Sequence, residues 1–383
     1  MQTTNSKRVA QLTDLGVWSS ETLHGQLAYW AHIQPHALAV ADQPQKTQLT
    51  GTEPVRLSYR DLELASSQLA RQRETRGITA DSRIMIQVPN IVELVVCFFA
   101  VSKLGAVISP LPMQYGSHEI ASLGAVFSPD LFISISHFKD SNPADIARTA
   151  LPTIPVLRIG TDLQCLSLVQ SDEPDTCTRA QDPHRIVSVC WTSGTTGTPK
   201  GVPRSHAMWF ATARATMEAG GYLPAERLLN PFPLVNMAAL GGFLFPIMLS
   251  GGALFLHHPL DPQGYLAQLQ DEAIHFTVAP PMLLNQLAAQ RSLWEAFDFS
   301  SLRAIGSGSA PLAETMIGTF EGDYGKPVIN FYGSNEGIAL FATPANAPDP
   351  SLRAQCFPRL GQCDLERESY AGRAVKTKVI NTD

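Results

Sequence analysis

Charge is scarce in this chain of 383 residues: Asp, Glu, Lys and Arg make up 16% of it, 28 basic against 34 acidic, for a net charge of −6. It carries no basic run, so the electrostatic footprint of a nucleic-acid surface is missing. The ten histidines are scattered and suggest no metal cluster. Six cysteines (97, 165, 177, 190, 356, 363) include no C-x-x-C pair, and several sit in apolar runs, which fits reduced thiols in a cytoplasmic protein. The polar opening, Met1-Gln-Thr-Thr-Asn-Ser-Lys-Arg8, is followed by no apolar h-region, so no signal peptide is read. No low-complexity tract or residue-level repeat is present. One stretch runs the other way: Leu234 to Leu256 is twenty-three residues without a charge, long enough to span a bilayer. Pro246, Gly241-Gly242 and Gly251-Gly252 break it, and it reads as a buried helix, a turn and a buried strand rather than a membrane span.

What remains is a globular composition, 44% hydrophobic, with chain enough for a sizeable core and two or three domains. Residues 21–34 read as an amphipathic helix and Leu38–Ala41 as a strand. Ser58 and Asp61 form a capping pair for a long helix. Arg83–Val88 is a strand, Ile91–Lys103 a helix, Ala106–Ser109 a strand, Ser117–Phe127 a helix and Asp130–Ile135 a strand. After a polar connection from about 160 to 184 the alternation resumes. Strands are expected at Ala253–Leu256, Ile274–Ala279, Leu302–Ser307 and Val328–Tyr332, with helices at 262–273, 280–290 and 311–320. Such alternation implies an α/β chain built from right-handed βαβ units: two doubly wound, mostly parallel subdomains. The expected division is 1–184, then 185–345, then 346–383, where Tyr370 onward alternates like an exposed strand and begins a further β element.

The chain is organised around Trp191-Thr-Ser-Gly-Thr-Thr-Gly-Thr-Pro-Lys-Gly201. A buried strand, Arg185–Cys190, precedes it, and Ser205 is placed to cap a helix through Met208, Phe210 and Met217. Strand, small-residue loop and helix together offer backbone N–H groups and a helix N-terminus to an anion. Thr192, Ser193, Thr195 and Thr196 add hydroxyls, Lys200 an ammonium, and Gly194 and Gly197 close backbone approach. A phosphate chain suits so many donors; a flexible polar linker is the plain alternative. The lysine follows Pro199 and precedes Gly201, so this is not a Walker A loop.

Ligands of open parallel sheets bind at the carboxyl ends of strands. Two further strand ends carry suspicious loops. Gly306-Ser-Gly-Ser-Ala-Pro-Leu312 leaves room for a flat group at Gly308, Ser309 and Ala310, or is simply a turn with Pro311 opening a helix. It holds no Gly-x-Ser-x-Gly, which sets aside a nucleophile elbow. Asn330-Phe-Tyr-Gly-Ser-Asn-Glu336 offers an aromatic face at Tyr332 and a carboxylate at Glu336, though each alone is as readily a core ring and a solvated charge. Together the three loops define phosphate donors, a purine slot and a carboxylate for a metal ion.

In order and content these motifs resemble the adenylate-forming superfamily of acyl- and aryl-CoA synthetases, luciferases and peptide-synthetase adenylation domains, from about residue 20 to the end. The resemblance implies that a carboxylate attacks the α-phosphorus of ATP, giving an acyl adenylate and pyrophosphate. Coenzyme A or a carrier-protein phosphopantetheine thiol then takes the acyl group. Residues 192–200 would embrace the phosphates, Gly308, Ser309 and Ala310 border the adenine, and Tyr332 stack on it. Asn330, Phe331, Gly333, Ser334 and Asn335 would complete the nucleotide site, and Glu336 would hold Mg²⁺. Thr192, Lys200 and Glu336 are the residues implied in catalysis; Asn236, Met237, Leu240 and Gly241 are those implied in the acid pocket. The implied partners are a small carboxylic acid and a carrier protein.

Three departures qualify this. Asn335 stands where the family's Tyr-Gly-x-Thr-Glu has threonine, and its amide is expected to donate to a phosphate oxygen. Pro233-Leu-Val-Asn236 lacks the aspartate that amino-acid-activating domains use for the substrate ammonium, so an aryl or alkyl acid is expected. The family's ribose aspartate, hinge and C-terminal domain with its lysine are not among these residues, so the chain reads as the large N-terminal portion, of low activity by itself. Two other functions stand beside the ligase core: a non-catalytic nucleotide- and acyl-binding module, and an unrelated phosphate-handling enzyme such as a kinase.

Overall fold

A computed structural model describes residues 3–74, 77–166, 182–192, 199–337, 339–360 and 369–374. Fourteen strands lie within them. They are β1 (Leu38–Ala41), β2 (Arg56–Ser58), β3 (Arg83–Gln87), β4 (Val107–Pro110), β5 (Leu131–Ser134), β6 (Val156–Arg158) and β7 (Ile186–Thr192). Next come β8 (Lys200–Ser205), β9 (Arg227–Asn230), β10 (Ala253–Leu256), β11 (Phe276–Val278), β12 (Ala304–Gly308), β13 (Val328–Gly333) and β14 (Ala339–Ala342). They form an eight-stranded sheet, β14-β13-β12-β11-β9-β10-β1-β2, and a six-stranded sheet, β6-β5-β3-β4-β7-β8. Pairing is parallel inside each sheet, and only β2, β8 and β14, all at edges, run antiparallel. This is the mixed α/β, two-sheet architecture expected of βαβ units.

The sheets do not divide at residue 184. β1 and β2 leave the first half to pair beside β10, with Val40 opposite Leu254, while β7 and β8 join β4 of the other sheet. Between the sheets runs the helix Val92–Leu104, in which every residue is buried. A sequence apolar on nearly every side, with its few charges paired, makes such a helix, because it has no face to give to water. Each fully buried Val, Leu or Phe there contributes about 1.5–3 kcal/mol. Its Glu93 is ion-paired with Lys46 (2.8 Å), which also meets Asp42 at 2.7 Å.

The charge-free stretch folds as expected: a helical run from Met237 to Ser250, a left-handed stop at Gly251 (φ 66°) and then β10. One wide turn, Leu240–Leu244, interrupts that run. No helix among the described residues is long and apolar enough to cross a membrane. Cys97, Cys165, Cys190 and Cys356 are free thiols, and Cys177 and Cys363 fall outside the described residues. Ser58 Oγ and Asp61 Oδ2 do cap the helix Tyr59–Glu74 (2.7 Å).

The C-terminal stretch differs from expectation. Among the described residues of 346–383 there are two short helices, Pro350–Gln355 and Tyr370–Ala374, and no strand. Tyr370 and Ala371 are buried against Leu12, Val17 and Trp18. The Glu218 carboxylate accepts from their amides (2.8 and 3.3 Å), capping the first turn that alternation alone would leave extended.

Candidate functional site

The carboxyl ends of strands from both sheets meet around one cavity of about 1050 Å³. β7 brings Trp191 and Thr192; β12 brings Gly308 and runs into Ser309 and Ala310; β13 and its loop bring every residue from Asn330 to Glu336. Asn236 and Met237 arrive from the segment after β9. Three motifs and the acid-pocket segment, spread over more than a hundred residues of sequence, therefore share one wall. Leu240 and Gly241 do not line it: Leu240 is buried, and a Cβ on Gly241 would meet Thr212 Cγ2 at 2.6 Å. Gly242 and Phe243 line it instead.

The signature stretch is a hairpin, not a strand running into a helix. Lys200 lies opposite Thr192, Gly201 opposite Trp191 and Pro203 opposite Val189. The helix His206–Gly220, capped by Ser205 Oγ on the Met208 amide (3.3 Å), starts only after β8 ends. The helix expected right after the signature stretch is therefore separated from it by β8. Ser193, Gly194, Thr195, Thr196 and Gly197 lie outside the described residues. Lys200 is exposed at the loop end of the β7–β8 pair and is not in the cavity wall.

The purine-slot residues are shaped by steric room. A Cβ on Gly308 would stand 2.2 Å from the Phe331 carbonyl oxygen, and one on Gly306 would stand 2.0 Å from the Phe331 ring. Only glycine lets β12 and β13 approach this closely. Ser309 follows with φ 68°, a left-handed conformation costly for a side-chain-bearing residue and one that collects at ligand sites. Tyr332 presents an aromatic face 54% exposed, with the Phe357 ring 6.2 Å away. Asn330 points its amide at the Arg353 carbonyl (2.8 Å) and holds the loop rather than facing out. Glu336 is exposed on the rim and ion-paired to nothing among the described residues.

Asn335 is a joint. Its Oδ1 accepts from the Met237 amide (2.9 Å) and its Nδ2 donates to the Trp191 carbonyl (2.9 Å). Asn236 Oδ1 accepts from the Ala239 amide (3.3 Å), so two asparagines satisfy one helix start. The amide expected to meet a phosphate thus ties the signature hairpin to the acid-pocket segment.

Sequence reading missed Thr212 and Thr216, one turn apart on the helix His206–Gly220, as well as Phe232, Phe243 and Val278, all in the wall. The i, i+4 spacing of the two threonines on one helix is the available signal. It missed Arg204 as well. This guanidinium is 4% exposed and lies 4.3 Å over the Trp209 ring. It donates to Thr212 Oγ1 (2.6 Å), the Met208 carbonyl (3.1 Å) and the Asn335 carbonyl (3.3 Å). Burial pulls its pKa down to about 10, so it stays charged at neutral pH.

Comparison with known proteins fits this geometry. Pyochelin synthase PchD of Pseudomonas aeruginosa is 26% identical over 379 residues, 96% of this chain and 66% of that protein. Indoleacetate–CoA ligase of Aromatoleum aromaticum is 29% identical over 300 residues, 76% of this chain and 58% of that one. The chain thus spans about three fifths to two thirds of these relatives' length. The inhibitor-bound N-terminal domain of FACL13 from Mycobacterium tuberculosis has the same fold (TM-score 0.75, 21% identity, 88% of this chain and 83% of that one). The profile described as AMP-binding enzyme matches residues 36–365, from β1 past the last strand and through every loop that lines the cavity, and the chain belongs to that family.

Proposed function

We propose that the chain is the nucleotide- and acid-binding core of a ligase that activates an aryl or alkyl carboxylic acid as its adenylate and passes it to a thiol. The observation carrying this reading is the shared cavity of Thr192, Asn236, Met237, Gly308–Ala310 and Asn330–Glu336. In it the acid's carboxylate oxygen would attack the α-phosphorus of ATP as the bond to pyrophosphate breaks. Thr192 and Lys200 would hold phosphate oxygens. Gly308 lets β12 and β13 close up along the slot, and the open ring of Tyr332 would stack on a flat base.

Glu336 suits Mg²⁺, a cation that takes one or two carboxylates and completes its shell with phosphate oxygens. Charge neutralisation on the phosphates is what that ion would supply. Thr212, Thr216, Phe232, Phe243 and Val278 give the acid a largely apolar arm. Among the described residues Glu336, on the rim, is the wall's one carboxylate, so an α-ammonium would find no partner among those further in; the relative named for indoleacetate supports an aromatic acid. The thiol would be coenzyme A or a carrier-protein phosphopantetheine.

The test is product identity. Incubation with ATP, Mg²⁺ and a panel of aryl and medium-chain acids should yield AMP and pyrophosphate in proportion to acid. Production of ADP and phosphate, or response to α-amino acids alone, would refute it.

A further inference from the structure

Arg204 poses an electrostatic question. A buried charge is costly unless paired, and this one has no carboxylate within ion-pair distance among the described residues. Its surroundings make matters worse. The guanidinium donates to the carbonyl of Met208 in the first turn of the helix His206–Gly220, whose N-terminal end carries positive partial charge. Its Nε has no hydrogen-bond partner. The Trp209 face offsets part of the cost, but a ring is not a counter-ion. Three of the groups it touches, Thr212, Met237 and Asn335, are cavity wall; the Met237 sulfur is 3.8 Å from Nη1. The unbalanced charge therefore sits directly behind the wall, where the hairpin, the acid-pocket segment and the β13 loop converge.

We infer that Arg204 is the buried counter-charge for an anion held in the cavity beside Thr192, Met237 and Asn335, and so a positioning residue for the bound reactants. This rests on the ligase reading, in which two anions come to that place: the acid's carboxylate and the α-phosphate of the nucleotide. The bound anion supplies the partner that the folded chain withholds, and the guanidinium favours charged ligands over neutral ones of the same shape. A long-range field through one layer of side chains, at an effective dielectric near 20, supports a preference on the order of tenfold or more.

The experiment titrates the chain calorimetrically with two matched pairs, benzoate against benzamide and AMP against adenosine. Wild type should favour the charged member of each pair. Arg204→Met should lower affinity for at least one charged member by about tenfold and leave the neutral members unchanged, while Arg204→Lys keeps the preference. Arg204→Gln, run in parallel, removes the charge but retains hydrogen bonding, so the comparison survives a folding defect in the methionine variant; melting curves check both. Loss confined to benzoate assigns the carboxylate, loss confined to AMP assigns the phosphate, and loss in both assigns one position used by each. Equal loss of charged and neutral ligands, or undiminished charge preference in the uncharged variants, would overturn the inference. A wild type that binds AMP and adenosine alike and shows no preference for benzoate also overturns it, with the nucleotide reading intact. Failure to bind either nucleoside would instead defeat that reading.

Discussion

Asn335 gives the sharpest test of how the site is assembled. Replacing it with alanine removes the acceptor of the Met237 amide and the donor to the Trp191 carbonyl, both 2.9 Å contacts. The Met237 amide belongs to the first turn of its helix and has no acceptor within that turn. A hydrogen bond contributes about 1 kcal/mol net, so two contribute about 2 kcal/mol, or roughly a 30-fold shift in the local opening equilibrium. Amide hydrogen exchange reads this at one residue: in Asn335→Ala the Met237 amide should exchange roughly 30-fold faster, while amides of the buried helix Val92–Leu104 keep their rates. Asn335→Thr, whose single hydroxyl can make one of the two bonds, should give roughly fivefold, about 1 kcal/mol. Unchanged exchange at Met237 in Asn335→Ala would refute the bridging role.

Three further outcomes are expected. Lys200→Ala should weaken ATP binding roughly 10- to 100-fold and AMP binding much less, since the lysine is the cation of the signature hairpin; equal calorimetric losses would mean it faces only solvent. Gly308→Ala puts a methyl 2.2 Å from the Phe331 carbonyl and should cost about 1–3 kcal/mol and blunt AMP binding; an unshifted urea midpoint would disprove the close approach of β12 and β13. Asp42 is pushed up by burial from 3.8 to about 6, with Lys46 opposing. The folded state then holds that proton more readily than the unfolded chain, so the carboxyl's stabilising contribution is full below pH 3.8 and is lost as pH rises through about 6. Wild type should gain stability relative to Asp42→Asn as pH falls across that window, and a flat difference in urea unfolding would contradict it.

What could be read from the chain followed the strength of its punctuation. The strand Ala253–Leu256 and the helix Ser117–Phe127 lie where pattern places them, because Gly251-Gly252 and Gly116 mark their starts. β8 was hidden by Gly201 and Pro203, residues that argue against a strand; at a sheet edge the missing proline N–H disturbs no ladder. β9 was missed because Arg227-Leu-Leu-Asn230 is too short to show a period, although it lies between β10 and β11. The wall residues were legible where small residues or an aromatic marked a strand end, as at Gly308 and Tyr332. Arg204 and Lys46 look like solvated charges in sequence, and only distant packing buries them.

The interleaving of the two sheets bears on how the molecule is made. β1 and β2 are synthesised early, yet their neighbour β10 lies about two hundred residues later; β7, beyond the connection, pairs back with β4 of the smaller sheet. Neither sheet can close from one contiguous half, so assembly depends on contacts far apart along the chain, the kind that slow folding. A backbone cut near residue 184 would leave two fragments, each holding strands that the other's sheet requires. Such fragments should stay incompletely folded alone and regain the cavity only when mixed, which makes that connection a natural place to split the protein for complementation.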